Sequence, residues 1–255
     1  PNAVAIGDLD GDGKLDVVVA NQGSNTISVY RNTSTSGTLN STSFSSKVDF
    51  TTATNPLSVA IGDLDQDGKQ DIVVANVSSN SISVFRNTST SGSITSGSFA
   101  AKVDFTTGLN PFSVAIGDLD GDGKFDIAVT NSNAGNVSVF RNTSTNGSIS
   151  TSSFAAKIDY LTGSNPYSVA IGDIDGDGNQ DLVIANNGSD NVSVLRNYIT
   201  GGTLTVHSFA TLINVAAGSS PRSVAIGDLN EDGKPDIVVA NQSSNTVSVL
   251  RNNSS

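Results

Sequence analysis

Cysteine, methionine and tryptophan are all missing from this sequence, and histidine occurs once, as His207. Without cysteine there can be no disulfide framework, no thiolate metal site and no thiol nucleophile. His207 lies in the degenerate stretch YITGGTLTVHSF. With no second His, no Cys and no repeated carboxylate beside it, it supports no catalytic constellation. No apolar run approaches the length of a membrane span, and no segment reads as a basic amphipathic helix, so membrane insertion is not expected. Helical periodicity is lacking throughout. The 13 Lys and Arg are scattered singly and form no run, which argues against nucleic acid as a partner.

What the chain has instead is one nine-residue stretch used five times. DLDGDGKLD, residues 8 to 16, returns as DLDQDGKQD from Asp63, DLDGDGKFD from Asp118, DIDGDGNQD from Asp173 and DLNEDGKPD from Asp228, each 55 residues after the last with no insertion or deletion. Such a period overrides the prior from length and predicts one continuous repeat domain over 1–255, with repeats 1–55, 56–110, 111–165, 166–220 and an incomplete 221–255. Pro1 aligns with Pro56, Pro111, Pro166 and Pro221 in mid-repeat. That is the register expected of a mature or excised piece.

The spacing of the stretch is that of a cation loop. Oxygen ligands at loop positions 1, 3 and 5 share one side of a curled backbone, a Gly at position 6 permits the positive-φ turn, and position 7 then offers its main-chain carbonyl. The ligand sets so assigned are Asp8, Asp10, Asp12, Lys14 and Asp16; Asp63, Asp65, Asp67, Lys69 and Asp71; Asp118, Asp120, Asp122, Lys124 and Asp126; Asp173, Asp175, Asp177, Asn179 and Asp181; and Asp228, Asn230, Asp232, Lys234 and Asp236. The position-7 residues contribute only their carbonyls. All donors are oxygens, and a cage of several carboxylates suits Ca²⁺, one per repeat and five in all, better than the water-retaining Mg²⁺. An EF-hand would close with a Glu at position 12. Here position 12 is Val19, Val74, Val129, Ile184 or Val239, and the closing Asp comes at position 9. An Asp-Gly loop can also be a mere hairpin turn, but a turn does not need four Asp at alternate positions, which repel one another without a cation. Of the 24 acidic residues, 19 are the loop Asp residues, so the formal charge of −11 belongs to the empty sites rather than to a surface built for a basic partner.

Around the loop, residues 56 to 110 show how one repeat folds. SVAIGD (58 to 63) reads as a first strand and DIVVAN (71 to 76), apolar on both faces, as a central one. A polar tip leads to SISVFRN (81 to 87), with Ile82 and Val84 on one face, and a Ser/Thr/Gly stretch leads to a polar outer strand, FAAKVDF (99 to 105). Four strands joined in sequence make an antiparallel meander. The fold class is all-β. One such sheet cannot bury both faces, so copies must stack, and hairpins within each unit favour the four-stranded blades of a β-propeller over a solenoid. Four blades are complete and the fifth has three strands.

The unit S-V-A-I-G-D-L-D-G-D-G-K-x-D-I-V-V-A-N resembles the FG-GAP and VCBS repeat of integrin α-subunit propellers and many bacterial surface proteins, over all five repeats. The resemblance implies Ca²⁺ in the loop between the first two strands of each blade. The fifth loop departs from the pattern, with Asn230 at position 3, Glu231 beside it and Pro235 at position 8, and a weaker site is expected there. The family's closed propellers commonly have more blades than this, so a fragment, a small propeller or contact between copies all remain open. A three-stranded last blade leaves an unpaired edge over residues 246 to 252, which invites self-association.

Two other recurrent residues carry two readings each. Arg31, Arg86, Arg141, Arg196 and Arg251 end the third strands, either as a charge ring for an anionic glycan or as structural groups bonded to carbonyls or to acids such as Asp49 and Asp104. Asn21, Asn76, Asn131, Asn186 and Asn241 end the second strands as turn formers or ligand contacts. The hairpin tips that follow them lie at the end of each blade opposite the metal loops, the expected face for a glycan or protein ligand. Sequons at Asn32, Asn87 and Asn142 recur in phase and are expected to face solvent, though a chain this rich in Asn, Ser and Thr produces them easily by chance. The expected function is a non-enzymatic, secreted or cell-surface Ca²⁺ module for binding or adhesion. A self-assembling surface or fibre protein is the alternative, and the propeller of a polysaccharide-active enzyme a further one. Enzymes break their repeats to build one asymmetric site, and this chain has hardly broken any.

Overall fold

The computed structural model describes residues 1–199 and 202–253. The β-branched runs form strands and the Asp-Gly loops join them, giving four four-stranded antiparallel sheets and one of three strands. The first sheet holds β1 (Ala3–Gly7), β2 (Asp16–Asn21), β3 (Thr26–Tyr30) and β4 (Val48–Thr51). The second holds β5 (Pro56–Gly62), β6 (Asp71–Asn76), β7 (Ser81–Phe85) and β8 (Val103–Thr106). The third comprises β9 (Pro111–Gly117), β10 (Asp126–Asn131), β11 (Asn136–Phe140) and β12 (Ile158–Leu161). The fourth comprises β13 (Pro166–Gly172), β14 (Asp181–Asn186), β15 (Asn191–Leu195) and β16 (Ile213–Ala216), and the last β17 (Pro221–Gly227), β18 (Asp236–Asn241) and β19 (Thr246–Leu250). Each sheet follows chain order, and the pairing pattern repeats from blade to blade. This is the β-propeller-like blade expected from the repeat. No described helix is long and apolar enough to cross a membrane.

The chain forms two compact units: Pro1–Thr106 with Thr143–Ser153, and Thr107–Asn142 with Phe154–Ser255. In the first, Val18, Ala20, Ile27 and Val29 of the first sheet pack against Val59, Ile72, Val74 and Phe85 of the second, and Phe99 closes the cluster. In the second unit the third and fourth sheets meet through Ala128, Val137, Val139, Val169, Leu182 and Ile184, and the fourth and fifth through Val183, Ala185, Val192, Val224, Ile237 and Val239. Alternate residues of one strand therefore serve two neighbours. That is why β14 is buried at every position while β2 is buried only at alternate ones.

First strands of neighbouring blades approach closely. A Cβ on Gly117 would stand 2.9 Å from Ile171 Cγ2, and one on Gly7 the same distance from Ile61 Cγ2. The Gly that ends each of these strands leaves room for the neighbour's Ile. In four sheets the first strand also carries a β-bulge directly after its Pro: Pro56 pairs with Asn76 and Ser58 with Ala75, leaving Leu57 unpaired, and Phe112, Tyr167 and Arg222 stand at the same point. Proline has no N–H for the ladder, so the strand slips by one residue where it enters the sheet.

The outer strand is shorter than its sequence suggests. β8 begins at Val103, and Phe99 instead makes an isolated bridge to Asn87, as Phe44 does to Asn32, Phe154 to Asn142 and Phe209 to Asn197. The aromatic ring is drawn from the strand into the core, where Phe99 meets Phe50 edge to face with centroids 5.0 Å apart.

Candidate metal centres

Each loop turns on two left-handed residues. Position 6 is glycine in every copy, with φ between 83° and 90°, and position 4 is also at positive φ, including Gln66 at 56° and Glu231 at 60°. The first Asp ties this turn together: Asp8 accepts the Asp12 and Gly13 amides at 3.2 and 2.9 Å, and Asp63 and Asp118 do the same for their loops. Position 9 ties the loop to its sheet. The buried Asp71 carboxylate accepts the Leu64 amide at 3.0 Å with one oxygen and the Asn87 amide at 2.8 Å with the other, an arrangement repeated at Asp16, Asp126, Asp181 and Asp236.

In four loops three carboxylates bring one oxygen each to within 4.8 Å of the others: Asp8, Asp10 and Asp16; Asp63, Asp65 and Asp71; Asp118, Asp120 and Asp122; Asp173, Asp175 and Asp181. Such a cluster repels itself unless a cation or protons compensate it. Burial raises the pKa of Asp71 and Asp126 to about 7, chiefly by desolvation, with the neighbouring loop carboxylates adding to it against the two amide hydrogen bonds. Asp16 and Asp181 are raised for the same reason. Asp10 Oδ1 and Asp65 Oδ1 are buried and have no hydrogen-bond partner. A buried carboxylate oxygen without a donor is costly to leave unpaired. An all-oxygen set around a tight turn, with an oxygen of this kind inside it, fits a hard divalent cation such as Ca²⁺. Asn230 removes the position-3 charge from the fifth loop, which is not among the carboxylate clusters of the described residues.

The recurrent arginines belong to this site. Arg86 donates from Nε to Asp65 at 2.6 Å and from Nη2 to Asp67 at 2.9 Å, spanning positions 3 and 5 of its own loop. Arg31 and Arg141 bridge the same two positions, and Arg196 pairs with Asp175 and Asp177. Arg251 reaches only Asp232, at 3.3 Å, because position 3 there is the neutral Asn230. The expected partners Asp49 and Asp104 are engaged elsewhere, by Lys47 with Ser28 and by Lys102 with Ser83. The third strand runs antiparallel to the second and ends beside the loop, and this sets the Arg over the loop rather than over the outer strand. In the first three loops four Asp, one Lys and one Arg leave two negative charges, which a divalent cation cancels.

Sequence reasoning missed the residues that hold one blade's loop from the next. Asn87 Nδ2 donates to Leu9 O at 2.7 Å and to Gln70 O at 2.8 Å, Ser89 Oγ to Leu9 O at 2.8 Å, and the Gly92 amide to Asp10 O at 3.0 Å. Ser144, Asn146 and Gly147 clasp Leu64, Gln66 and Asp65 in the same way. In the second unit Asn197 reaches Leu119 O and Asn252 reaches Ile174 O, at 2.7 and 2.5 Å. The signal was the in-phase Asn-Thr-Ser. As a sequon it is expected to face solvent, but Asn87 and Asn142 are wholly buried. The Asn ending a second strand opens the hairpin turn with its carbonyl, as Asn21 O accepts the Ser24 amide at 3.2 Å and Asn131 O the Ala134 amide at 3.1 Å, and its side chain braces the hairpin, as the buried Asn76 donates to Ser83 Oγ at 2.9 Å; the left-handed turn residues include Asn25, Asn80, Asp190 and Asn245.

The FG-GAP-like repeat profile matches residues 8–74, 63–129, 118–184 and 173–239, and the chain belongs to that repeat family. No curated protein sequence matches it significantly. Among solved structures, a protein of unknown function from Desulfotomaculum acetoxidans is similar over 97% of this chain and 68% of its own, with a TM-score of 0.57 at 16% identity. An Agrocybe aegerita lectin that recognises non-reducing terminal N-acetylglucosamine gives 0.57 at 20% identity, covering 98% of this chain and 63% of the lectin. Bap1, a biofilm matrix protein of V. cholerae, gives 0.51 at 18% identity over 99% of this chain, which spans 37% of Bap1. At these identities the likeness is one of fold.

Proposed function

We propose that this chain is a calcium-stabilised, non-enzymatic module for binding or adhesion outside cells. The observation that carries the reading is the buried, partnerless carboxylate oxygen inside an in-phase cluster of Asp, as at Asp10 and Asp65. Asp8, Asp63, Asp118, Asp173 and Asp228 open the five sites, each completed by positions 3, 5 and 9 and by the position-7 carbonyl. Modules of this kind generally bind Ca²⁺ with a dissociation constant of about 10⁻⁴ to 10⁻³ M, a concentration met outside cells and not in the cytosol. At a hundredfold excess over that constant each site adds about 2.7 kcal/mol by mass action, so several together rival the stability of a whole domain. The reading is non-enzymatic because the five loops have stayed alike. Ligands, whether glycan or protein, would meet the hairpin end of the blades, away from the metal. Isothermal titration tests the site assignment, and fewer than four Ca²⁺ per chain at saturation would sink it.

A second reading, self-assembly, draws on β19. It is the outer strand of its sheet, and Val247 and Val249 beside its free edge are 64% and 58% exposed. Such an edge templates pairing with another chain. Light scattering across a concentration series decides it, and a constant monomer mass removes this reading.

A further inference from the structure

The octapeptide that opens every repeat is constant at all but two positions. Pro-x-Ser-Val-Ala-Ile-Gly-Asp recurs with only Ala3 in place of Ser, while x is Asn2, Leu57, Phe112, Tyr167 and Arg222, five residue types in five copies. From the second repeat onward x is the bulge residue of its first strand. A bulge leaves one residue unpaired, re-aims its side chain and disrupts the ladder only locally, and bulges concentrate beside functional sites. It also lies at the end of the strand opposite the metal loop, level with the hairpin tips.

Within the second unit these side chains come together. Phe112 and Tyr167 are stacked, with centroids 4.0 Å apart and planes 7° from parallel, and the Arg222 guanidinium carbon lies 5.7 and 5.4 Å from the two ring centroids. Both rings are half-exposed and Arg222 is exposed. Of the six arginines, five are held by loop carboxylates; among the described residues Arg222 has no carboxylate partner. Asp190, on the same face, accepts the Ser220 amide at 2.7 Å. Among the described residues the one hydrogen bond of the Arg222 side chain runs from Nη1 to Gln242 Oε1 at 3.3 Å. Most of its five donors are therefore free, in the planar fork that matches a carboxylate. Beside it runs a groove of about 570 Å³ whose lining includes Ala240, Gln242, Asn245, Thr246 and Val247.

We propose that Phe112, Tyr167 and Arg222 form a recognition platform for an acidic polysaccharide whose sugar units carry carboxylates. The guanidinium pairs with the carboxylate, while the half-exposed rings meet the weakly positive C–H face of a pyranose, since aromatic faces carry partial negative charge. Gln242 and Asn245 face the hydroxyls. An acidic peptide satisfies the Arg alone and makes no use of the rings and amides.

This assignment deepens the binding-module reading and rests on it. The test is titration of trigalacturonate into the Ca²⁺-loaded full chain at low ionic strength, beside maltotriose and triglutamate. Trigalacturonate should bind at least tenfold more tightly than either. Arg222→Gln should lose about tenfold or more, Arg222→Lys less, and Tyr167→Ala should weaken binding with the Ca²⁺ stoichiometry unchanged. Three outcomes overturn the proposal: no trigalacturonate binding by the unmodified protein at millimolar concentration, equal binding of triglutamate, or undiminished binding by Arg222→Gln. Calcium stoichiometry measured on the same sample separates this failure from failure of the metal-centre reading.

Discussion

Raising the pH should destabilise the metal-free protein and stabilise the Ca²⁺-loaded one. Asp71 and Asp126 ionise near 3.8 when unfolded, but in the fold desolvation holds their protons up to about 7. Between those values the native state binds more protons than the unfolded one. The stability due to the raised pKa is complete below about pH 4 and is lost as pH rises through about 7. A gap of about three units corresponds to roughly 4 kcal/mol at each of these two carboxylates. At about 2 to 4 °C per kcal/mol for a chain of this size, one such site lowers Tm by on the order of 10 °C across the window. Asp16 and Asp181 act in the same direction. Asp49, held below its ordinary value by Lys47 and Ser28, opposes them only below about pH 4. Calcium needs the ionised carboxylates, so protons compete with it and its stabilisation grows with pH. Thermal melts by circular dichroism at pH 5, 6, 7 and 8, on metal-free protein and in saturating Ca²⁺, should give curves of opposite slope. A metal-free Tm that rises from pH 5 to pH 8 would refute the account of the position-9 carboxylates.

Other perturbations act on separate parts of the fold. Gly117→Ala places a Cβ 2.9 Å from Ile171 and should cost about 1 to 3 kcal/mol in urea unfolding, with Ca²⁺ binding kept; a neutral effect would show that the first strands part easily. Arg86→Gln strips the guanidinium from the buried Asp65 and should cost about 2 kcal/mol without metal and less with it. Equal losses in the two states would separate the Arg from the metal centre. Asn87→Ala orphans the Leu9 and Gln70 carbonyls, at about 1 to 3 kcal/mol, and should speed amide exchange in residues 88–98. Calcium titration should resolve a fifth site weaker than the rest, because Asn230 carries no charge, and five equal sites would show that Glu231 supplies the missing one.

Much of this molecule follows from local rules that a single repeat already expresses. The 55-residue period, the Asp spacing and the Gly at position 6 determine where the chain turns and where oxygens gather, because backbone φ and side-chain alternation act over a few residues at a time. DIVVAN reads as a doubly covered strand for the same reason. What the sequence could not decide is which distant groups those residues meet. Arg86 lies 19 residues after Asp67, and only the antiparallel return of the third strand sets its fork on positions 3 and 5 rather than on Asp104. The sequon at Asn87 is expected to face solvent, but stacking carries its amide to Leu9, 78 residues away. Phe99, which the sequence places at the start of the outer strand, makes only an isolated bridge to Asn87 there, and its ring meets Phe50 in the core. The platform of Phe112, Tyr167 and Arg222 stands as one varying letter in each of three repeats, and only the bulged, closely approaching first strands bring those letters within 6 Å of one another.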